Sequence, residues 1–292
     1  MKVQIKCVHC KSKEYVKAGF RKTEKRGKIQ RYQCLRCNKL FTNDEGFYRM
    51  RNKESIITMS IDMYLSNLSS RKMRNQLRRH LKTKISHVSV LDWVRKYVKK
   101  VSKFIDTLKP QLSGKIYADE TEVKRAGKND IFWCAVDWET RYINATLYSP
   151  RNQNMIDAKE FMSRIKKSIA KPKYVQTDAL MHYPRAMRNV FSSSKLNEYH
   201  GIKRVEHRVN NVSKTKKHNV RIETVFSKVK DRVDDFRGFK ALWSAPILMA
   251  GLIIQHNFIE QHTIVKDYPC ERAGLNLDLS ENRWLDLIKL SN

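Results

Sequence analysis

The chain has 292 residues, enough for one sizeable core and one or two small modules. Lys and Arg outnumber Asp and Glu by 60 to 29, which gives a formal charge of +31. This surplus favours nucleic acid as the partner, because cations that neutralise phosphates release counterions. An anionic membrane surface or an acidic protein are the alternatives. The longest apolar run, Ala245–Ile254, is too short to span a bilayer. We therefore expect no membrane insertion and a cytoplasmic, nucleoid-associated protein.

Two CxxC pairs lie near the start of the sequence, Cys7 with Cys10 and Cys34 with Cys37. A gap of two residues lets both thiolates reach one ion, and two pairs complete a tetrahedron. One pair alone could be a redox pair, whereas two pairs in a reducing compartment favour one structural Zn²⁺. We therefore predict a zinc ribbon over residues 1–45.

A helical pattern follows over residues 46–108. Apolar residues recur at helical spacing and predict three short helices, the second capped by Ser69 and the third starting near Ser86. Such an arrangement resembles a helix-turn-helix module, in which the third helix contacts DNA. Its predicted DNA-binding residues are Ser86, His87, Ser89 and Arg95. A plain helical linker bundle with a basic exterior would have the same pattern.

Alternating strands and helices occupy residues 109–262. Three strands, from Ile116 to Tyr148, precede a helix at Asn154–Ile169 and a fourth strand at Tyr174–Thr177. A second helix, a fifth strand at Ile202–Val205 and a third helix complete the order β-β-β-α-β-α-β-α. This order predicts an α/β fold with a mixed sheet, of the ribonuclease H-like type. Residues 263–292 are expected to form a C-terminal tail.

Three acidic residues in this region carry the predicted chemistry. Asp119 lies within the first strand, Asp178 closes the fourth, and Glu223 opens the last helix. Hard divalent cations prefer carboxylate oxygens, and two such ions can stabilise both oxygens of a phosphodiester displacement. We predict a site for two Mg²⁺ (or Mn²⁺) ions. Asn219 and Lys230 share the Glu223 edge of the helix and are predicted to bind DNA.

Other acidic residues are weaker candidates for this site. Glu206 is the competitor for the third position, but it lies in a strand-like segment. Asp137 is expected to be a structural turn residue, and Glu120 and Glu122 are expected to point away from Asp119. No Gly-rich phosphate loop occurs, so no nucleotide cofactor is expected.

The stretch from Ile116 to about His262 resembles the catalytic domain of prokaryotic insertion-sequence transposases of the DDE class. The matching segments are Asp119-Glu120-Thr121, Thr177-Asp178, Asn219-x-x-x-Glu223 with Lys230, and Arg237-Gly238-Phe239-Lys240. Asp178 and Glu223 are 45 positions apart, wider than is common in the most similar enzymes.

This resemblance implies a DNA transposase that binds the terminal inverted repeats of its element and catalyses metal-dependent strand cleavage and strand transfer. A zinc ribbon with a helix-turn-helix reads the element ends in such enzymes. The implied partner is double-stranded DNA, bound by a homodimer or higher oligomer. The alternative is a DNA-binding regulator whose ribonuclease H-like domain is inactive.

Overall fold

The computed structural model describes residues 5–23, 27–43, 45–150, 154–191, 205–210, 220–235, 238–263 and 265–292. The chain divides into two compact units, residues 1–106 with 277–292 and residues 107–276. Over the described ranges, none of the helices has both the length and the apolarity needed to cross a membrane.

The first unit begins with a three-stranded antiparallel sheet, β1 (Tyr15–Thr23), β2 (Gly27–Cys34) and β3 (Leu40–Thr42). Each CxxC pair lies in a turn, and the residue after each pair, Lys11 or Asn38, has a left-handed φ of 61° or 56°. Their backbone amides donate to the carbonyls of Cys7 and Cys34, both at 2.9 Å. The two turns therefore have the same shape. Three aromatic rings pack against the cysteines: Tyr15, Tyr32 and Phe41.

The three predicted helices follow as α1 (Glu54–Leu65), α2 (Ser70–Leu81) and α3 (His87–Ile105). Ser69 and Ser86 are the N-caps of α2 and α3, where each side chain accepts a hydrogen bond from a backbone amide three residues later. Helix α3 is the centre of the module, because α1 and α2 both pack against it.

A helix at the end of the chain, Arg283–Leu290, belongs to this first unit. It buries Trp284, Leu287 and Ile288 and packs against α1 and α3. Gly46 accommodates it, since a Cβ at Gly46 would lie 2.9 Å from the carbonyl oxygen of Ile288. The segment 263–292, which we expected to be a tail, thus ends in a helix that completes the core of the first unit.

The second unit is built on a five-stranded mixed sheet with the order β6-β5-β4-β7-β8. Strands β4 to β6 are antiparallel, whereas β7 is parallel to β4 and β8 is parallel to β7. Their bounds are β4 Lys115–Arg125, β5 Lys128–Asp137, β6 Ile143–Ser149, β7 Tyr174–Thr177 and β8 Glu206–Val209. The predicted ribonuclease H-like fold is confirmed. The fifth strand that the structure describes is β8, in which Glu206 pairs with Tyr174. Residues 202–204 of the predicted strand Ile202–Val205 lie outside the described residues, and Val205 directly precedes β8.

Helices cover both faces of this sheet. Helices α4 (Met155–Ser168) and α5 (His182–Phe191) pack on one face, and α6 (Val220–Asp235) and α7 (Ala245–Ile254) pack on the other. A π-helical turn, Gln255–Ile259, follows α7 directly. In it, the Asn257 side chain bonds both the amide and the carbonyl of Ile143, at 2.9 and 3.0 Å, which fastens this turn to the edge strand.

The chain after α6 is fixed to the end of β4. The Phe239 amide donates to the Lys124 carbonyl, and the Ala126 amide donates to the Phe239 carbonyl, both at 2.8 Å. Gly238 allows this approach, because its φ is +77° and an added Cβ would lie 3.0 Å from the Lys124 carbonyl oxygen.

Gly238→Ala should therefore destabilise the protein more than Gly127→Ala. Gly127 also has a positive φ, +80°, but a Cβ there would meet nothing within 4 Å. The strained φ costs each variant about 1–2 kcal/mol, and the steric clash should add about 1–3 kcal/mol at Gly238 alone. Urea denaturation measures the difference. Equal losses for the two variants would show that the close approach at Gly238 is not a constraint.

Candidate active site

The first two predicted acidic residues lie on neighbouring parallel strands. Asp119 is in the middle of β4, and Asp178 directly follows β7. The sheet pairs Tyr117 with Gln176. Continued for two residues, this register places Asp119 beside Asp178, so the fold brings the two carboxylates together at one edge of the sheet.

Burial and neighbouring carboxylates raise the pKa of Asp119. Burial raises its pKa to about 7, and Asp178 and Glu223 also raise it. The backbone amide of Glu120, which donates to Asp119 Oδ1 at 2.9 Å, acts in the opposite direction, as does Lys230. Glu223 and Lys230 are therefore both within electrostatic reach of Asp119.

Glu223 and Lys230 approach from α6, on the face of the sheet opposite α5. Both side chains are exposed. The predicted apolar stripe of this helix is buried as expected, from Ile222 to Val233. Asn219, the third residue predicted on this edge, lies outside the described residues.

The expectation for Glu120 was wrong. Its carboxylate lies with those of Asp119 and Asp178, and ligand atoms of all three are within 4.8 Å of one another. In the described part of the chain this group of three does not include Glu223. The pKa of Glu120 is raised to about 8, first by burial and then by Asp178 and Asp119, against the hydrogen bond from Tyr183.

Strand alternation explains both the expectation and its failure. Glu120 does leave β4 on the opposite face from Asp119, towards α5. There the fully buried Tyr183 donates to its Oε2 atom, and the flexible side chain still reaches Asp178. Glu122, two residues further along, is exposed and accepts a hydrogen bond from Asn129 at 2.8 Å, away from the cluster.

The remaining acidic candidates have structural roles. Asp137 is fully buried and accepts hydrogen bonds from Ser113, from the Gly114 amide and from Thr140, as expected for a turn residue. Glu206 is exposed in β8 and pairs with Arg208 at 2.8 Å. It lies outside the acidic group.

The four predicted cysteine ligands form a second cluster, in the first unit. Cys7 and Cys37 Sγ atoms are 3.6 Å apart, Cys10 and Cys34 are 3.5 Å apart, and all four are free thiols. Four sulfurs bonded tetrahedrally at about 2.3 Å to one zinc ion would be about 3.8 Å apart. The pKa of Cys34 is lowered to about 6, first by a backbone hydrogen bond from Cys37, whereas burial and the neighbouring thiols raise that of Cys10.

Of the four predicted DNA-binding residues of the helical module, three lie at the start of α3 and Arg95 lies near its middle. The Ser86 hydroxyl accepts from the Ser89 amide at 3.0 Å and lies 3.0 Å from the Ser89 hydroxyl, so it serves as a helix cap. Arg95 pairs with Asp92 at 3.4 Å and remains partly exposed. His87 is partly exposed as well.

The mixed sheet with this strand order and the acidic site at its edge define a ribonuclease H-like core of the transposase and integrase class. The chain belongs to the IS240-type DDE transposase family, whose model, described as a DDE domain, matches residues 113–262, just over half of the chain.

Among named relatives, the transposase for insertion sequence-like element IS431mec of Staphylococcus aureus is 27% identical over 149 residues. The transposase for insertion sequence element IS257 in transposon Tn4003 of the same species is also 27% identical over 149 residues. Both matches cover 51% of this chain and 65% of the relative, so the chain spans less than two thirds of these proteins.

Solved structures with chains similar to this one include an integrase domain and a strand transfer complex. The HTLV-2 integrase catalytic core domain in complex with magnesium is 13% identical, with a TM-score of 0.36 over 56% of this chain and 97% of that one. The Mos1 strand transfer complex is 10% identical, with a TM-score of 0.23 over 70% of this chain and 75% of that one.

Proposed function

We propose that this protein is a DNA transposase that cleaves DNA strands at the ends of its insertion sequence and joins them to target DNA. The observation that carries the proposal is the acidic site, where Asp119 and Asp178 lie side by side and Glu223 acts on Asp119 from a neighbouring helix. The family match over the same residues supports it.

The donor set of this site fits hard divalent cations. Carboxylates brought this close repel one another, and a bound cation removes that cost. We propose that Asp119, Asp178 and Glu223 hold two Mg²⁺ (or Mn²⁺) ions. When bound, the ions supply positive charge beside the entering and leaving oxygens of the phosphodiester.

The protein's own part in this reaction is to position DNA. Lys230 lies seven residues after Glu223 on α6, which returns to nearly the same side of a helix. An exposed ammonium there, within electrostatic reach of Asp119, would hold a phosphate next to the acidic site. Asn219 is proposed to act beside it.

The first unit is proposed to bind the terminal inverted repeats. Helix α3 would contact bases through His87, Ser89 and Arg95, with Ser86 fixing its N-terminus. Helix α2 would contact phosphates, because its basic residues are exposed: Arg71, Lys72, Arg74, Arg78 and Arg79. Bringing two element ends together would require a homodimer or higher oligomer on DNA.

The cysteine cluster is proposed to hold one structural Zn²⁺. Four thiolates form a closed tetrahedral set with no position left for a substrate. Its role would be to fix the two turns that anchor β1 and β2.

Asp119→Asn, Asp178→Asn and Glu223→Gln should each reduce strand cleavage and joining by about 1,000-fold or more, since each removes charge from the proposed metal site. The measurement uses labelled oligonucleotides with the element end, and gel shifts should show unchanged DNA binding. Glu122→Gln, an exposed acid on the same strand, is the matched control and should remain active. Normal activity of all three variants would refute the proposal, and binding without cleavage by the wild type in any divalent metal would favour the regulator.

Wild-type protein should contain one zinc ion per chain by elemental analysis, and Cys34→Ser should lose it. The same substitution at Cys134, a buried cysteine of β5, should leave the zinc content unchanged. Loss of zinc should also lower the thermal stability of the first unit, since metal binding adds directly to folding free energy. A zinc-free wild type, purified without chelators and still stable, would contradict this role.

Arg95→Gln should weaken binding to the inverted repeat by about 1–3 kcal/mol, with a smaller loss on unrelated DNA. Arg164→Gln is the control, because Arg164 is also partly exposed and paired with an acid of its own helix, Glu160. Quantitative gel shifts at fixed salt measure both. Equal losses on specific and unrelated DNA would instead indicate that Arg95 contacts only phosphates.

A further inference from the structure

Glu120 is a fourth acidic residue at the site, and the predicted triad does not account for it. It leaves β4 on the face covered by α5, whereas Asp119 and Glu223 lie on the face covered by α6. Its carboxylate nevertheless lies with those of Asp119 and Asp178, within 4.8 Å. Acidic side chains therefore approach the site from both faces of the sheet, Glu120 from the α5 face and Glu223 from the α6 face.

Tyr183 holds Glu120 in this position. The ring of Tyr183 is fully buried in the core between the sheet and α5, where it packs edge-on against Trp133. Its hydroxyl donates to Glu120 Oε2. Because the ring cannot move without disturbing the core, the hydrogen bond fixes the carboxylate beside Asp178.

Buried carboxylates with structural roles in the same unit have different surroundings. Asp130 accepts from Arg125 and from Tyr148, so a cation neutralises it. Asp137 accepts from the amide and the hydroxyl of Thr140 in its own turn and from the Gly114 amide. Glu120 is instead placed next to two further acids, an arrangement that costs free energy unless a cation binds.

We propose that Glu120 is a third carboxylate ligand of the metal ion held by Asp119 and Asp178, and that Tyr183 is the residue that positions it. This inference rests on the proposed transposase function. With Glu120 as a ligand, the two ions would have different ligand sets, because Glu223 would bind the other ion from the opposite face of β4. Divalent cations of this kind bind carboxylate oxygens preferentially, so an additional carboxylate raises the affinity of that one position.

The experiment titrates Mg²⁺, and separately Mn²⁺, in the end-cleavage assay with full-length protein. Glu120→Gln should raise the metal concentration needed for half-maximal cleavage by about tenfold or more. Tyr183→Phe keeps the ring but loses the donor, and should shift the same concentration in the same direction by a smaller factor. Glu122→Gln should shift nothing, because Glu122 faces Asn129 on the exposed part of the strand.

Thermal unfolding distinguishes whether Glu120 is a metal ligand or a structural residue. Without metal, Glu120→Gln should be at least as stable as the wild type, since it removes the cost of placing a third acid beside Asp119 and Asp178. Added Mg²⁺ should stabilise the wild type more than this variant. A structural glutamate would give the opposite order, with the variant less stable in the absence of metal.

Two outcomes would overturn the inference: wild-type metal dependence of Glu120→Gln, or a loss of stability in metal-free Glu120→Gln. If Asp119→Asn is inactive in the same assay, either outcome rejects only the role of Glu120. If Asp119→Asn remains active, the proposed transposase function itself fails.

Discussion

The parallel pairing of β4 with β7 sets the geometry on which the acidic site depends. Strands of one sheet lie about 4.8 Å apart, so residues at the same level of neighbouring strands carry side chains at ligand distance. Asp119 and Asp178 share such a level because Tyr117 pairs with Gln176. A shift of one residue would turn one aspartate to the other face of the sheet.

Electrostatic repulsion at this site is balanced by packing around it. Each face of the sheet carries its own apolar core, one under α4 and α5 and the other under α6 and α7. These cores hold the carboxylates together at the sheet edge, where burial, and after it Asp178 and Glu223, raise the pKa of Asp119. The carboxylates are therefore held close together by the packed cores although their charges repel. Such a site gains more from binding a cation than from moving its side chains apart.

Much of this organisation could be predicted from the sequence, because it follows from local periodicity. The strands and helices around Asp119 and Asp178 have clear apolar patterns, and the spacing of the four cysteines follows from the reach of a thiolate. Glu120 could not be placed in this way. Alternation along a strand predicts the face from which a side chain leaves, but not that a buried Tyr183 holds it at the strand edge. The C-terminal helix was expected to be a tail, because its pattern gives no sign that its apolar face packs on α1 and α3.

That C-terminal helix has a consequence for how the protein folds during synthesis. The first unit includes residues 277–292, so the whole second unit is inserted between two parts of the first. Trp284 and Leu287, which are buried in the core of the first unit, are synthesised only after every residue of the 107–276 unit. Until that point, the apolar surface of α1 and α3 that the C-terminal helix covers remains exposed. The helical module would thus complete its core only after the unit that carries the acidic site has been synthesised, although its own helices α1 to α3 precede that unit in the sequence.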